Sequence, residues 1–278
     1  MTKLKDAYWK AVSLLESSGV KEARAEALEI LSAAAGAPLD PLTVRFSDRH
    51  VDMEAVMDFI RPRLGGQPLA YVLHSKWFYG RAFYVDSRVL IPRYDTEVVC
   101  EKALRLSEEK RCQNVLDLCC GSGCIGITLA LEGNYGNILL ADIDEGALAV
   151  AGTNIKRLGV QQTCKCLRSN LLEDVRGSWD LIVSNPPYIS ERDYICLDDE
   201  VRCYEPQTAL LAEEDGYAFY QRIVKDAKNC LAPGGALVLE IGDTQADKIE
   251  TMLANAGYTH IEREADVAGR PRVLSAQI

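Results

Sequence analysis

The feature that most constrains this chain of 278 residues is an alternation that begins near residue 114. Short apolar and β-branched runs at 114–118, 138–142, 163–168, 179–184 and 236–241 are separated by helix-spaced stretches near 124–132, 145–158 and 216–231. Strands that alternate with helices pair in parallel through crossover connections, so the pattern predicts a parallel sheet covered on both faces. Pro233-Gly234-Gly235 is expected to turn the chain before the fifth strand. After a further helix at 245–256, Tyr258 to Asp266 and Arg272 to Gln277 read as an antiparallel pair that closes the sheet. The expected fold class is α/β, a doubly wound sheet of seven strands.

The first part of the chain obeys a different period. Leu4, Ala7, Tyr8, Ala11, Val12 and Leu15 recur at three- and four-residue steps until Ser18-Gly19 breaks them. A second run carries Ala27, Leu28, Leu31 and Ala35 and stops at Gly36 and Pro38, and a third begins at Asp52, a candidate cap. Residues 1–73 are thus expected to form a small helical bundle, either a stability module or a docking surface for a macromolecular substrate. From Lys76 to Pro92 aromatic and β-branched residues take over, with Tyr79-Gly80-Arg81 as a turn candidate. Residues 74–94 are read as a β-hairpin linker, and 95–278 as the sheet domain, opening with a helix capped by Asp95 or Thr96.

A formal net charge of −10 and a pI near 5.0 argue against dependence on nonspecific phosphate contacts. The opening residues Met1 to Ala7 lack the apolar core of a signal peptide, and no run reaches the ~18 apolar residues of a membrane span. The expected setting is a cytoplasmic, soluble protein without membrane or direct nucleic-acid partners, and a monomer. Ten cysteines lack zinc-knuckle spacing and are read as reduced thiols, with no metal site.

Ligands of an open doubly wound sheet bind beyond the carboxyl ends of its strands, where strand order reverses. The first such end is Asp117-Leu118-Cys119-Cys120-Gly121-Ser122-Gly123-Cys124-Ile125-Gly126, and the second strand ends in Ala141-Asp142-Ile143-Asp144. The glycines allow a tight turn and close approach to backbone, while a carboxylate at Asp142 can accept both ribose hydroxyl hydrogens. Gly121 to Gly126 also satisfies the dinucleotide pattern, with Asp142 placed 142 − 121 = 21 residues on, so spacing alone leaves a nicotinamide cofactor open. Asp117 separates the two readings. A carboxylate there repels a pyrophosphate but pairs with an ammonium group, which favours S-adenosylmethionine, with S-adenosylhomocysteine as product.

Asn185-Pro186-Pro187-Tyr188 ends the fourth run. Neither proline can donate to a sheet ladder, so this rigid segment delivers an amide and a phenol into a cleft. An amide nitrogen is a poor nucleophile because its lone pair is delocalised. If the Asn185 side-chain oxygen and the Pro186 carbonyl each accept one N–H of a planar acceptor, the lone pair is held in line with the sulfonium methyl. The proton leaves readily after the methyl arrives, so no strong base is needed, and Tyr188 stacks on the planar group and excludes water. Asn185, Pro186 and Tyr188 are the expected catalytic residues; Asn185, Pro186, Pro187 and Tyr188 the expected substrate contacts.

Asp117 to Gly123, Asp142 and Asn185 to Tyr188 resemble the class I methyltransferases that act on planar nitrogens. Gly66-Gln67-Pro68-Leu69-Ala70-Tyr71, Leu90 to Glu97 and Glu205-Pro206-Gln207-Thr208-Ala209-Leu210 narrow the resemblance to the peptide-chain release factor glutamine methyltransferases, over essentially the whole chain. That resemblance implies N5-methylation of the glutamine in the Gly-Gly-Gln loop of a release factor, with the alternative of a nucleic-acid exocyclic amine. It implies a cofactor site lined by Asp117, Leu118, Cys119, Cys120, Gly121, Asp142 and Asn185, with Leu171 near the adenine. Four residues depart from the family pattern: Tyr94 stands in place of a proline, His74 often of a glycine, Cys119 of the loop's first glycine, and Asn170 of a frequent Asp.

Overall fold

The structure is a computed structural model that describes residues 1–46 and 48–278. It divides into two compact units, Met1–Ser75 with Asp198–Tyr204, and Lys76–Leu197 with Glu205–Ile278.

In the first unit, α1 (Leu4–Ser17) buries Leu4, Ala7, Ala11, Val12 and Leu15, the stripe its spacing dictates. It packs on α2 (Ala23–Ala35), α3 (Pro41–Phe46) and α4 (Met53–Leu64). Gly36 closes α2 at φ 63, and its N–H and that of Ala37 return to the carbonyls of Ala33 and Ser32. Asp52 caps α4 by accepting the Glu54 N–H at 3.1 Å. The short helices α3 and α5 (Leu69–Leu73) are too brief to carry a readable period. A buried guanidinium ties the unit together. Arg63 pairs with Glu26 at 2.6 Å and with Glu200 of helix Asp199–Tyr204 at 3.1 Å, while Tyr204 donates to the Gly65 carbonyl at 2.6 Å.

The second unit opens with the hairpin Lys76–Phe78 and Arg81–Phe83, turned by Tyr79 and Gly80, both at positive φ. A 3-10 turn, Tyr94–Thr96, leads into α6 (Glu97–Lys110). The expected side-chain cap is absent: Thr96 makes none, because its hydroxyl accepts from Asn185, and Asp95 pairs with Arg272.

The sheet strands are β1 (Asn114–Leu118), β2 (Asn137–Asp142), β3 (Cys164–Arg168), β4 (Trp179–Ser184), β5 (Leu231–Glu240), β6 (Thr259–Ala265) and β7 (Pro271–Gln277). Their order is β6-β7-β5-β4-β1-β2-β3, and all run the same way except β7, which is antiparallel to both of its neighbours, β5 and β6. The helices α7 (Cys124–Glu132), α8 (Glu145–Arg157), α9 (Ala218–Ala227) and α10 (Ala246–Asn255) accompany it. Alternate residues feed two cores. Val115, Leu181 and Val183 pack in one, and Leu116, Ile182 and Leu237 in the other. The expected turn at Pro233-Gly234-Gly235 is a bulge inside β5: Trp179 pairs with Leu231 and Leu181 with Ala236, so two steps on β4 face five on β5. Strand order reverses between β1 and β4, whose ends are joined where Ser184 donates to the Leu118 carbonyl at 2.8 Å. Among the described residues no helix is long and apolar enough to cross a membrane.

Candidate functional site

The chain leaves β1 through a left-handed turn. Cys119 has φ 56 and Gly121 φ 52; the Cys120 N–H reaches the Ala141 carbonyl at 3.1 Å, and the Gly121 N–H the Asp142 carboxylate at 2.9 Å. Gly123 starts α7 at φ 78, where a Cβ would lie 2.7 Å from Leu140 and 2.9 Å from Ile127. The loop and the end of β2 are thereby locked, and Asp142 also accepts the Asp144 N–H at 3.0 Å. Each Asp142 oxygen spends one lone pair on backbone and retains capacity for a hydroxyl.

Asp117 lies beneath this loop, fully buried. One of its oxygens accepts the Gly126 N–H at 2.8 Å, and the other has no hydrogen-bond partner. Burial, with Asp142 nearby, pushes its carboxyl up to about 7. An orphaned buried carboxylate oxygen without a paired cation suits an ammonium ligand and repels a pyrophosphate.

The cleft over these strand ends spans about 840 Å³ when the space open to solvent is included. Of the expected residues, Cys119, Cys120, Gly121, Asp142, Asn185 and Pro187 line it. Asp117, Leu118, Leu171, Pro186 and Tyr188 do not. Leu118 faces the core, and Leu171, at φ 54, packs there too, so the structure does not bring it to the cleft surface. The remaining walls come from segments far apart in sequence. Leu90, Pro92 and Arg93 meet Pro206, Thr208 and Ala209, because buried Glu205 accepts the Ile91 N–H at 3.0 Å and pairs with Arg93.

At the end of β4, Pro186 and Pro187 are buried, and Asn185 and Tyr188 half-buried. Asn185 donates its amide N–H to Thr96 Oγ1 at 3.3 Å, so its oxygen is the end left for an incoming donor. The Tyr188 carbonyl accepts from Gln245 at 3.1 Å, and its hydroxyl stands 3.5 Å from the Glu240 carboxylate. Gly216 is required here, since a Cβ would lie 2.3 Å from that carbonyl. The next residue, Ile189, is pinned to Leu210 and Ala212 by backbone hydrogen bonds of 2.9 Å each. Burial raises the Tyr188 phenol above its ordinary range, which keeps it protonated and fits a packing role. Thr96, Glu240 and Phe219 were not expected at the site. In sequence Thr96 reads as a helix cap within Leu90 to Glu97, and Glu240 carries one signal, a lone charge closing the apolar run Ala236-Leu237-Val238-Leu239.

All ten cysteines are free thiols, and the described residues contain no group of three or more His, Cys, Asp or Glu able to hold a metal ion.

The methyltransferase small domain family matches residues 102–197. The chain is 38% identical over 268 residues to the release factor glutamine methyltransferase of Geobacter sulfurreducens, covering 95% of this chain and 93% of that protein. It is 37% identical over 227 residues to the enzyme of the same name from Clostridium acetobutylicum, covering 81% and 80% respectively. A methyltransferase from Pyrococcus furiosus shares the fold, with a TM-score of 0.53 at 16% identity over 72% of this chain and 90% of that one.

Proposed function

We propose a function from one premise, that this chain belongs to the release factor glutamine methyltransferase family. It transfers a methyl group from S-adenosylmethionine to the side-chain amide nitrogen, N5, of the glutamine in the Gly-Gly-Gln loop of a peptide-chain release factor. The observation that carries the reading is the fixed carboxamide of Asn185, turned by Thr96 so that its oxygen is left for a donor, in the same cleft as Asp142.

The residues present fit the methyl donor. Asp142 would accept the ribose hydroxyls, the loop from Cys119 to Gly121 would line the cofactor's site, and Asp117, buried beneath that loop, would balance the ammonium charge. When bound, S-adenosylmethionine supplies an electrophilic methyl on a sulfonium. The protein's own part is orientation. The Asn185 oxygen and the Pro186 carbonyl each accept one N–H of the glutamine amide and hold its plane fixed. Pro187 walls the cleft, and Tyr188 packs against the planar group and keeps water out. No side chain is required as a base, because the nitrogen loses its proton readily once alkylated. The helical unit supplies contacts to the release factor outside the loop.

The test is incubation of the protein with methyl-labelled S-adenosylmethionine and a purified release factor, followed by mass spectrometry of the loop peptide. A single methyl on the loop glutamine is expected, and none when that glutamine is replaced by alanine. Label recovered in RNA or DNA instead would overturn the assignment; the net charge of −10 argues against that outcome.

A further inference from the structure

Glu240 ends β5 beside β4, with Leu239 in register with Ser184, the residue before Asn185. It is 2% exposed, and nothing in the proposed chemistry uses it. One carboxylate oxygen faces the Tyr188 hydroxyl at 3.5 Å, and the other has no hydrogen-bond partner. The Thr96 hydroxyl is a second polar neighbour and favours its ionised form. Thr96 is also the group that accepts the Asn185 amide N–H. The same carboxyl therefore adjoins both side chains that flank the two prolines, one directly and one through a hydroxyl.

The surroundings leave Glu240 without a counter-ion of its own. Arg272 of β7 is a cation that favours the acid's ionised form, but its guanidinium is engaged by Asp95 and Asp266, each at 3.3 Å. Asp95 contributes a like charge from the 3-10 turn, and Cys100 of α6 and Cys124 of α7 face the region as thiols that burial keeps protonated. Tyr220 of α9 donates to the Glu240 backbone carbonyl at 2.9 Å, which fixes the residue's place without touching its carboxyl. A buried acid held this way, next to two hydroxyls, sets the direction in which both point. An ionised carboxylate only accepts. The Tyr188 hydroxyl, 3.5 Å away, turns its hydrogen toward the acid, and Thr96 presents a lone pair to the Asn185 amide.

We infer that Glu240 is a positioning residue for methyl transfer, holding the Asn185 carboxamide through Thr96 and the Tyr188 ring through its hydroxyl. The inference rests on the function proposed above and deepens it, because it names what keeps the acceptor oxygen aimed. It requires that Glu240 and Thr96 act as one unit, that they affect turnover and not cofactor binding, and that the unit follows the charge on the acid. Burial raises that carboxyl to about 7, so turnover rises with pH through that value.

The experiment is a double-mutant cycle in the full chain, with a release factor as substrate and saturating S-adenosylmethionine. Glu240→Leu and Thr96→Val are each expected to lower kcat roughly 10- to 100-fold, with adenosylhomocysteine affinity within about twofold of the parent, and the double variant falls no further than the weaker single. Glu240→Gln, the uncharged isostere of the protonated acid, is expected to hold kcat near the parent's low-pH value and to remove the rise near pH 7. Losses that multiply in the double variant, a loss that resides in cofactor affinity, or a pH rise that survives in Glu240→Gln would each overturn the inference. Where Glu240→Leu does not fold, Glu240→Gln with Thr96→Val completes the cycle. A parent protein that binds adenosylhomocysteine yet labels no release factor overturns the function and this inference together, whereas labelling by the parent with an additive cycle overturns this inference alone.

Discussion

In the proposed function Asp117 is the acid that balances the cofactor's ammonium group, so its charge state changes when that cation arrives. Buried without a counter-ion, its carboxyl sits near 7, so much of it is protonated in the free protein at neutral pH. An ammonium group binds the ionised form, and below that value the ligand must first displace a proton. Affinity for adenosylhomocysteine is therefore expected to rise roughly tenfold or more between pH 5.5 and 8, at about tenfold per pH step below the raised value. Calorimetric titration across that range checks it, and Asp117→Asn should bind weakly and with a flat profile; an Asp117→Asn variant that keeps the parent's slope would remove Asp117 from the site. Two departures from the family pattern also make sense at this scale. His74 closes α5 at φ 50 and Cys119 leaves β1 at φ 56, both left-handed positions that glycine fills without strain. His74→Gly at that exposed position is expected to raise stability by up to about 1 kcal/mol in urea denaturation, with activity unchanged. The residue types were legible in the sequence. Their backbone conformation was not, because nothing local announces a histidine at positive φ.

At the scale of the element, the packing of α7 on the sheet depends on Gly123. Its Cβ would collide with Leu140 and Ile127 at 2.7 and 2.9 Å, and its φ of 78 penalises any side chain. Gly123→Ala is expected to cost about 2–3 kcal/mol from overpacking and backbone strain together. It should also weaken cofactor binding, since the shift reaches the loop that holds Asp142; a variant with an unchanged denaturation midpoint would contradict this packing. The strands β1, β2, β3 and β4 were readable to within a residue; β1, β2 and β4 are short, mostly apolar runs bounded by turn-forming or polar residues, and β3 is an edge strand that keeps charged residues between its apolar ones. The start of β5 was not, because Pro233-Gly234-Gly235 looks like a turn whether it precedes a strand or bulges from one. Asp95 and Thr96 show a subtler limit. Both have the chemistry of helix caps and sit where caps belong, yet their side chains serve Arg272 and Asn185. A long-range partner outcompeted a local one, and no local pattern records that. Glu205 is the converse case, since the two segments it joins were singled out separately in sequence and only the fold places them on one cleft.

At the scale of the whole molecule, burying acids at the site gives stability a definite dependence on pH. Asp117 and Glu240 both have carboxyls raised to about 7 by burial. Between about pH 4 and pH 7 the folded chain therefore binds more protons at these positions than the unfolded chain, and stability falls as pH rises through that window. The effect is on the order of a few kcal/mol for the pair, and a net charge of −10 adds repulsion in the same direction. Acids held low have the opposite sign. Asp86, beside Arg88, lies near 2, and its contribution is present above the ordinary aspartate value and lost as pH falls toward 2. Stability is thus expected to peak near pH 4, to decline by the order of a few kcal/mol to about pH 7 in the urea denaturation of the free protein, and to level off above that. Saturating adenosylhomocysteine removes part of that decline, because its ammonium neutralises Asp117 but leaves Glu240 unpaired, and Glu240→Gln removes most of the remainder. Stability that rises from pH 5.5 to 8 in the free protein would show that these two acids are not held uncompensated in the interior, and the cost that the site imposes on the fold would have to lie elsewhere.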